Sequence, residues 1–225
     1  MGRRARSGGP EADPHGGQPI ETAGAPPQAA TTAVVLLHGR GSTAQSILTL
    51  IDEFLHHGVM YLAPQAAHSS WYPRSGYAPL EDNEPGFSSA LDHVDSALDV
   101  AGDAGVPPER VVLIGFSQGG CLASEFVARN PRRYGGLVVL SGSLLGTETT
   151  DTYEGVIDDT PVFLGCSSDD PYVSAERVQN SARVFERLGG DVTSRLYDEL
   201  GHAINDDEIR MVNAFIERLT ESPGS

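Results

Sequence analysis

Arg110-Val111-Val112-Leu113-Ile114-Gly115-Phe116-Ser117-Gln118-Gly119-Gly120 is the stretch that decides the fold. Its first half is a short, β-branched apolar run of the kind found in strands covered on both faces. Cys121 to Arg129 follow with helical character. A G-x-S-x-G between a strand and a helix predicts a sharp, strained turn that lifts Ser117 above a sheet with its hydroxyl exposed. Gly115 and Gly119 are required there, because a side chain at either position would meet the neighbouring strand or helix. Ser117 is therefore a candidate nucleophile.

Outward from this turn, apolar runs at 33–37, 59–63, 136–140, 161–165 and 192–197 join 110–114 as predicted strands. Helical stripes lie between them. Phe87, Leu91, Val94, Leu98 and Ala101 form one; Leu122, Ala123, Phe126 and Val127 form another, stopped by Asn130-Pro131. Val178, Ala182, Phe185 and Leu188 form a third, ended by Gly189-Gly190, and Ile209, Val212, Ile216 and Leu219 a fourth. Strand and helix in alternation predict an α/β fold, a mostly parallel central sheet with helices on both faces. In such sheets, sites lie beyond the carboxyl ends of the strands.

The chain has 225 residues, enough for one such domain, assigned to 33–225. Residues 1–32 hold six Gly and five Pro, with Ile20 the only large aliphatic besides Met1. That composition predicts a flexible tail. Arg3-Arg4 is not followed by an apolar stretch, and no run approaches a membrane span, so a soluble cytoplasmic protein is expected. Net charge is −16, and all fifteen basic residues are Arg. Such a surface repels nucleic acid and anionic membranes. It suits adaptation to high salt, the alternative being Arg-for-Lys drift in an ordinary acidic protein. Cys121 and Cys166 read as buried free thiols. No Cys/His spacing suggests a metal, and no cofactor is expected.

A serine hydroxyl needs a base. His202 is the only His after Ser117, and it falls between the last strand and the last helix. That order and place make it the candidate base. The orienting carboxylate should follow strand 161–165, where Asp169 and Asp170 stand side by side; periodicity does not choose between them. An oxyanion hole needs two backbone N–H groups. Gln118, after the nucleophile, supplies one from a helix N-terminus. Arg40, within His38-Gly39-Arg40-Gly41 after the first strand, is the candidate for the other.

Together these residues resemble the phospholipase/carboxylesterase family of α/β-hydrolases, which includes the acyl-protein thioesterases. The resemblance runs from about Val34 to Leu219. It is carried by His38-Gly39-Arg40-Gly41, Ala63-Pro64-Gln65, Trp71-Tyr72 and Gly115-Phe116-Ser117-Gln118-Gly119-Gly120. The family places its acid before a Pro in D-P-x-V. Asp170-Pro171-Tyr172-Val173 fits, so the resemblance selects Asp170. Two departures stand out. Ser174 replaces a Pro the family often shows and suits a helix N-cap; Cys166-Ser167 replaces a His-Gly. The resemblance implies an α/β-hydrolase fold and hydrolysis of an ester or thioester through a Ser117-His202-Asp170 triad and an acyl-enzyme.

The link from Pro64 to Phe87 is long and aromatic, and Trp71 and Tyr72 are expected to wall the pocket. The link from 141 to 160 is too short for a large cap domain, so the pocket should be open, favouring short or medium acyl chains. Arg40 and Arg74 stand where an anionic substrate group could meet them, although solvation alone accounts for Arg74. The leading expectation is a serine esterase acting on small-molecule esters, as a monomer or a homodimer. Rivals are a thioesterase or lysophospholipase for longer chains, and a non-catalytic receptor on the same fold.

Overall fold

In the computed structural model, described residues are 13–54, 56–146 and 153–221. Seven strands form one sheet: β1 (Ile20–Gly24), β2 (Thr32–Leu37), β3 (Val59–Pro64), β4 (Val111–Phe116), β5 (Gly136–Leu140), β6 (Pro161–Ser167) and β7 (Asp191–Tyr197). Their order is β1-β3-β2-β4-β5-β6-β7, with β1 antiparallel to β3 and every other pairing parallel. Among the described residues the five α-helices are α1 (Ala44–Leu48), α2 (Gly86–Asp103), α3 (Gln118–Arg129), α4 (Ala175–Arg187) and α5 (Asp206–Glu221).

The strand alternation divides the interior into two layers. Ala33, Val35 and Leu37 of β2 face one core, shared with Val94 of α2, Phe126 of α3 and Phe185 of α4. Val34 and Leu36 face the other, shared with Ile47 of α1 and Val212 and Ile216 of α5. Side chains at i and i+2 thus feed one face, and the central strands are apolar along nearly all of their length because both faces are covered. The expected doubly covered sheet is observed, and the six expected strands lie where the apolar runs put them. Asn130 caps α3, and Ser174 accepts the Arg177 N–H to cap α4. Gly189, at φ +81, gives α4 its left-handed stop.

The start of the chain departs from expectation. Residues 1–12 of the expected tail lie outside the described residues, but residues 13–32 are built into the body. β1 pairs with β3 from Ile20 opposite Pro64 to Gly24 opposite Met60. An edge strand draws its stability from backbone pairing, which composition does not register, and it needs only Ile20 and Ala23 to face inward. His15 is buried. Its Nδ1 accepts the Ala67 N–H at 3.0 Å and its Nε2 donates to the Trp71 carbonyl at 2.9 Å. The domain therefore reaches back at least to Asp13.

Close packing at the turn after β4 explains its glycines. A Cβ on Gly115 would lie 2.2 Å from the Gly119 carbonyl oxygen of α3. One on Gly119 would lie 2.1 Å from the Leu37 carbonyl oxygen at the end of β2. Both obstacles are backbone and cannot rotate away. Gly119→Ala is therefore expected to cost more than about 3 kcal/mol, a fall of roughly 6–12 °C in melting temperature for a domain this size. Thermal unfolding followed by circular dichroism measures it. An unchanged melting temperature would contradict the tight apposition of α3 on β2.

Candidate active site

Each candidate residue stands just past the carboxyl end of a parallel strand: Arg40 after β2, Ser117 after β4, Asp170 after β6 and His202 after β7. Register brings these ends together, since Leu37 pairs with Gly115, Phe116 with Leu140, and Ser167 with Tyr197. Ser117 has φ 56 and ψ −120, a conformation that costs a non-glycine residue energy and persists only where the surroundings hold it. Its N–H is held by the Leu140 carbonyl at 2.9 Å, and its own carbonyl receives the Cys121 N–H at 3.0 Å.

His202 Nε2 lies 2.9 Å from Ser117 Oγ, and Nδ1 lies 2.7 Å from Asp170 Oδ2. The Asp170 side chain is buried. Its Oδ1 accepts the N–H groups of Tyr172 at 2.8 Å and Val173 at 3.0 Å. Burial pushes this carboxyl up, but the His202 hydrogen bond and the two backbone N–H groups outweigh it and hold Asp170 below the usual carboxylate range. Asp170 is thus an anion at neutral pH, and it dictates that Nδ1 carries the imidazole proton, leaving Nε2 to accept from Ser117. The ring of Tyr172 meets His202 edge-on at 4.8 Å, and Phe116 lies 5.0 Å away on another side.

Asp169 is exposed and does not touch the imidazole. It accepts hydrogen bonds from Ser167 Oγ and from the Gly201 N–H at 3.3 Å. Ser167 is the residue that sequence reasoning passed over. Its buried Oγ accepts the N–H groups of Leu200 at 3.2 Å and Gly201 at 3.1 Å, tying the loop before His202 to the end of β6. The departure from His-Gly at 166–167 thus introduces a hydroxyl that holds the loop carrying the candidate base.

The other end of that loop is held by a capping box. Asn205 Oδ1 accepts the Asp207 and Glu208 N–H groups, and Glu208 Oε2 accepts the Asn205 N–H at 2.9 Å. Glu208 is buried against Gly165, and its Oε1 has no protein partner. Burial raises its carboxyl to about 7. The folded state therefore keeps a proton that the unfolded chain loses near the ordinary 4.5. Wild-type stability falls on this account as pH rises from about 4.5 to 7 and then levels off. Glu208→Gln keeps an acceptor for Asn205 without the charge. It is expected to gain up to about 3 kcal/mol over wild type at pH 8 and little at pH 4.5. Urea unfolding at both pH values measures this; equal effects at both would show that the charged form is not penalised.

The two candidate oxyanion donors sit beside Ser117. Among the described residues, neither the Arg40 nor the Gln118 backbone N–H has a hydrogen-bond acceptor. A Cβ at Gly39 would rest 3.4 Å from the Ser117 Cβ, so the β2 loop passes within contact of Ser117. Side chains lock both donors. The Arg40 guanidinium donates to the carbonyls of Tyr72 at 2.7 Å, Pro73 at 3.2 Å and Arg74 at 2.7 Å. Gln118 Oε1 accepts the Trp71 N–H at 3.0 Å while its Nε2 donates to the Tyr72 carbonyl at 2.8 Å. The glutamine of the elbow is thereby a bolt between α3 and the loop after β3.

Trp71 requires a correction. It is fully buried and does not line the pocket. Its Nε1 donates to the His38 carbonyl at 2.8 Å, and its ring packs among His15, His38 and His93. Burial lowers the affinity of all three imidazoles for protons. Trp71 supports the β2 loop from behind, and an apolar ring with one polar atom is suited to that. Tyr72, in contrast, does line the pocket.

The pocket has a volume of about 550 Å³, with Ser117 and His202 at one side and Tyr72, Tyr77, Cys121 and Val173 among its walls. Cys121 and Cys166 are free and buried; burial and nearby Asp170 push the Cys166 thiol up to about 12, so it is inert. Among the described residues, no group of three or more His, Cys, Asp or Glu could hold a metal ion. No described helix is long and apolar enough to cross a membrane.

Residues 19–220 match a family model described as Phospholipase/Carboxylesterase. A crystal structure of a phospholipase/carboxylesterase from Dyadobacter fermentans superposes with a TM-score of 0.85 at 40% identity, covering 88% of this chain and 96% of that one. A probable carboxylesterase of Arabidopsis thaliana is 26% identical over 216 residues, 87% of this chain and 82% of its own length. An acyl-protein thioesterase 1 of Gibberella zeae is 35% identical over 119 residues, 52% of this chain and about half of that relative, 51%.

Proposed function

The chain belongs to the phospholipase/carboxylesterase family of α/β-hydrolases and is an ester hydrolase, and from that premise we propose that it cleaves small carboxylic esters through a Ser117-His202-Asp170 triad. The observation that carries the reading is the continuous relay from Ser117 Oγ to His202 at 2.9 Å and on to Asp170 at 2.7 Å. Ser117 Oγ attacks the acyl carbon as Nε2 takes its proton. The imidazolium so formed is stabilised by the ionised Asp170. Charge developing on the carbonyl oxygen is received by the N–H groups of Arg40 and Gln118, aided by the positive end of α3. The leaving alcohol takes the proton from His202, and a water molecule, activated by the same base, releases the acid from Ser117.

The free buried thiols favour a reducing compartment, so the proposed place of action is the cytoplasm. The substrate class is short to medium acyl esters, in keeping with a cavity of about 550 Å³, within the usual range for small ligands. Thioesters are the second reading, on the strength of relatives named acyl-protein thioesterase. A p-nitrophenyl ester series from acetate to palmitate, run at low and high salt, tests both the class and the expected salt adaptation of the acidic surface. Activity is expected to peak at short or medium chains and to vanish when a fluorophosphonate labels Ser117. Hydrolysis that survives complete labelling would overturn the mechanism, and a peak at palmitate would favour a long-chain substrate.

A further inference from the structure

Among the described residues, three arginines and no carboxylate line the candidate pocket, in a chain that carries 31 acidic and 15 basic residues. Arg40 and Arg177 are fixed in place. Arg40 is held by the carbonyls of residues 72–74, as described above. Arg177 Nη1 donates to the Gly146 carbonyl at 2.8 Å and Nη2 to the Leu144 carbonyl at 2.6 Å, while its guanidinium lies 4.5 Å from the centre of the Tyr77 ring. Carbonyl dipoles and an aromatic face orient a guanidinium without cancelling its charge. Arg74 is exposed, and its side chain makes no hydrogen bond within the described residues.

No carboxylate stands within ion-pair distance of Arg40, Arg74 or Arg177 among the described residues. Two acids near the pocket are committed to other partners. Asp170 serves His202, and Glu125 serves Arg129, the Tyr153 hydroxyl and the Leu145 N–H. Among the described residues the pocket is therefore a locally cationic recess in an acidic molecule, with two fixed charges, Arg40 from the loop after β2 and Arg177 from α4, and a third, solvated one, Arg74, from the loop after β3.

We propose that this pocket selects esters that carry a carboxylate on the acyl or the alcohol part. The inference rests on the esterase reading of the same site and adds the substrate's charge to it. Net charge does not oppose it under ordinary conditions. At 0.15 M salt the screening length is about 8 Å, so an anion inside the pocket feels the arginines around it more than the distant acidic surface. At 0.01 M salt the screening length is about 30 Å, and repulsion from the whole molecule reaches the entering ester. Preference for the anion should thus be greater at 0.15 M than at 0.01 M, the reverse of what a simple basic surface would do.

The test compares paired esters of matched shape: 3-acetoxybenzoate against 3-acetoxybenzamide for charge on the leaving group, and p-nitrophenyl adipate monoester against p-nitrophenyl hexanoate for charge on the acyl group. Each kcat/KM is divided by the rate of hydroxide hydrolysis of the same ester. At 0.15 M salt the anionic member of at least one pair is expected to be favoured about tenfold, and the pair showing it identifies the side of the ester that carries the charge. Arg74→Gln is expected to lower that ratio about threefold. Arg210→Gln on α5, which changes net charge equally but does not line the pocket, should leave it unaltered. Ser117-dependent hydrolysis with both ratios at or below one would overturn the inference and leave the esterase reading standing. So would an equal fall in Arg74→Gln and Arg210→Gln. Absence of Ser117-dependent hydrolysis of all four esters would overturn the esterase reading and this inference with it.

Discussion

Ser117→Ala is expected to lower kcat on any accepted ester by roughly four to six orders of magnitude while the melting temperature stays within a few degrees of wild type. The loss is large because the hydroxyl is the proposed nucleophile, held 2.9 Å from its proposed base, His202 Nε2. Without it the acyl-enzyme cannot form, and what remains is water attacking an ester that is positioned and polarised. Stability is expected to hold because Ser117 keeps its place through backbone bonds to Leu140 and Cys121, which alanine retains. The one penalty is an alanine at φ 56, which the serine already bears. Steady-state kinetics beside thermal unfolding separates the outcomes. Turnover within tenfold of wild type would remove Ser117 from the mechanism.

Asp170→Asn is expected to lower kcat by about 10⁴, with Asp169→Asn costing only about tenfold. The two carboxylates are neighbours in sequence but not in environment. Asp170 is buried with one oxygen on His202 and the other on two backbone N–H groups. An asparagine there offers its amide oxygen or its NH₂ to Nδ1, and the second choice forces the imidazole into the tautomer that points a proton at Ser117. It also deprives the imidazolium of its counter-charge. Asp169 is solvated and reaches the His202 loop only indirectly, through the Gly201 N–H and Ser167 Oγ, and Ser167 itself holds Gly201. The reverse ranking of the two variants would place Asp169 in the triad.

The fold was legible where the physics is local or repetitive. Val111-Val112 and its counterparts announce strands covered on both faces, and the stripes on α2 to α5 announce helices. Two glycines at fixed distance from a serine mark a turn with no room for side chains, and the contacts of Gly115 and Gly119 give the reason. Chain order and the place after the last apolar run together pointed to His202, which lies past the end of β7. Adjacent Asp169 and Asp170 were different, since no periodicity separates neighbours on a loop; a pattern shared with a family chose between them. What escaped was long-range. Nothing near Trp71 says that it will be surrounded by His15, His38 and His93, residues 56, 33 and 22 positions away. Ser167 looked like an ordinary loop serine until β7 brought Leu200 and Gly201 over it. β1 was hidden because an edge strand is specified by its partner's open backbone more than by its own side chains.

That first strand bears on how the protein should be handled at the bench. Its composition invites trimming at residue 32, yet such a truncation would remove the cover from β3 and leave a row of unpaired amides and carbonyls along the sheet margin. It would also withdraw the imidazole that braces the Ala67 and Trp71 backbone behind the loop after β2. A shortened product would tend to self-associate through the bared margin and lose its catalytic geometry together. Affinity tags and fusion partners belong ahead of Asp13, where the added sequence leaves both the margin and the brace in place.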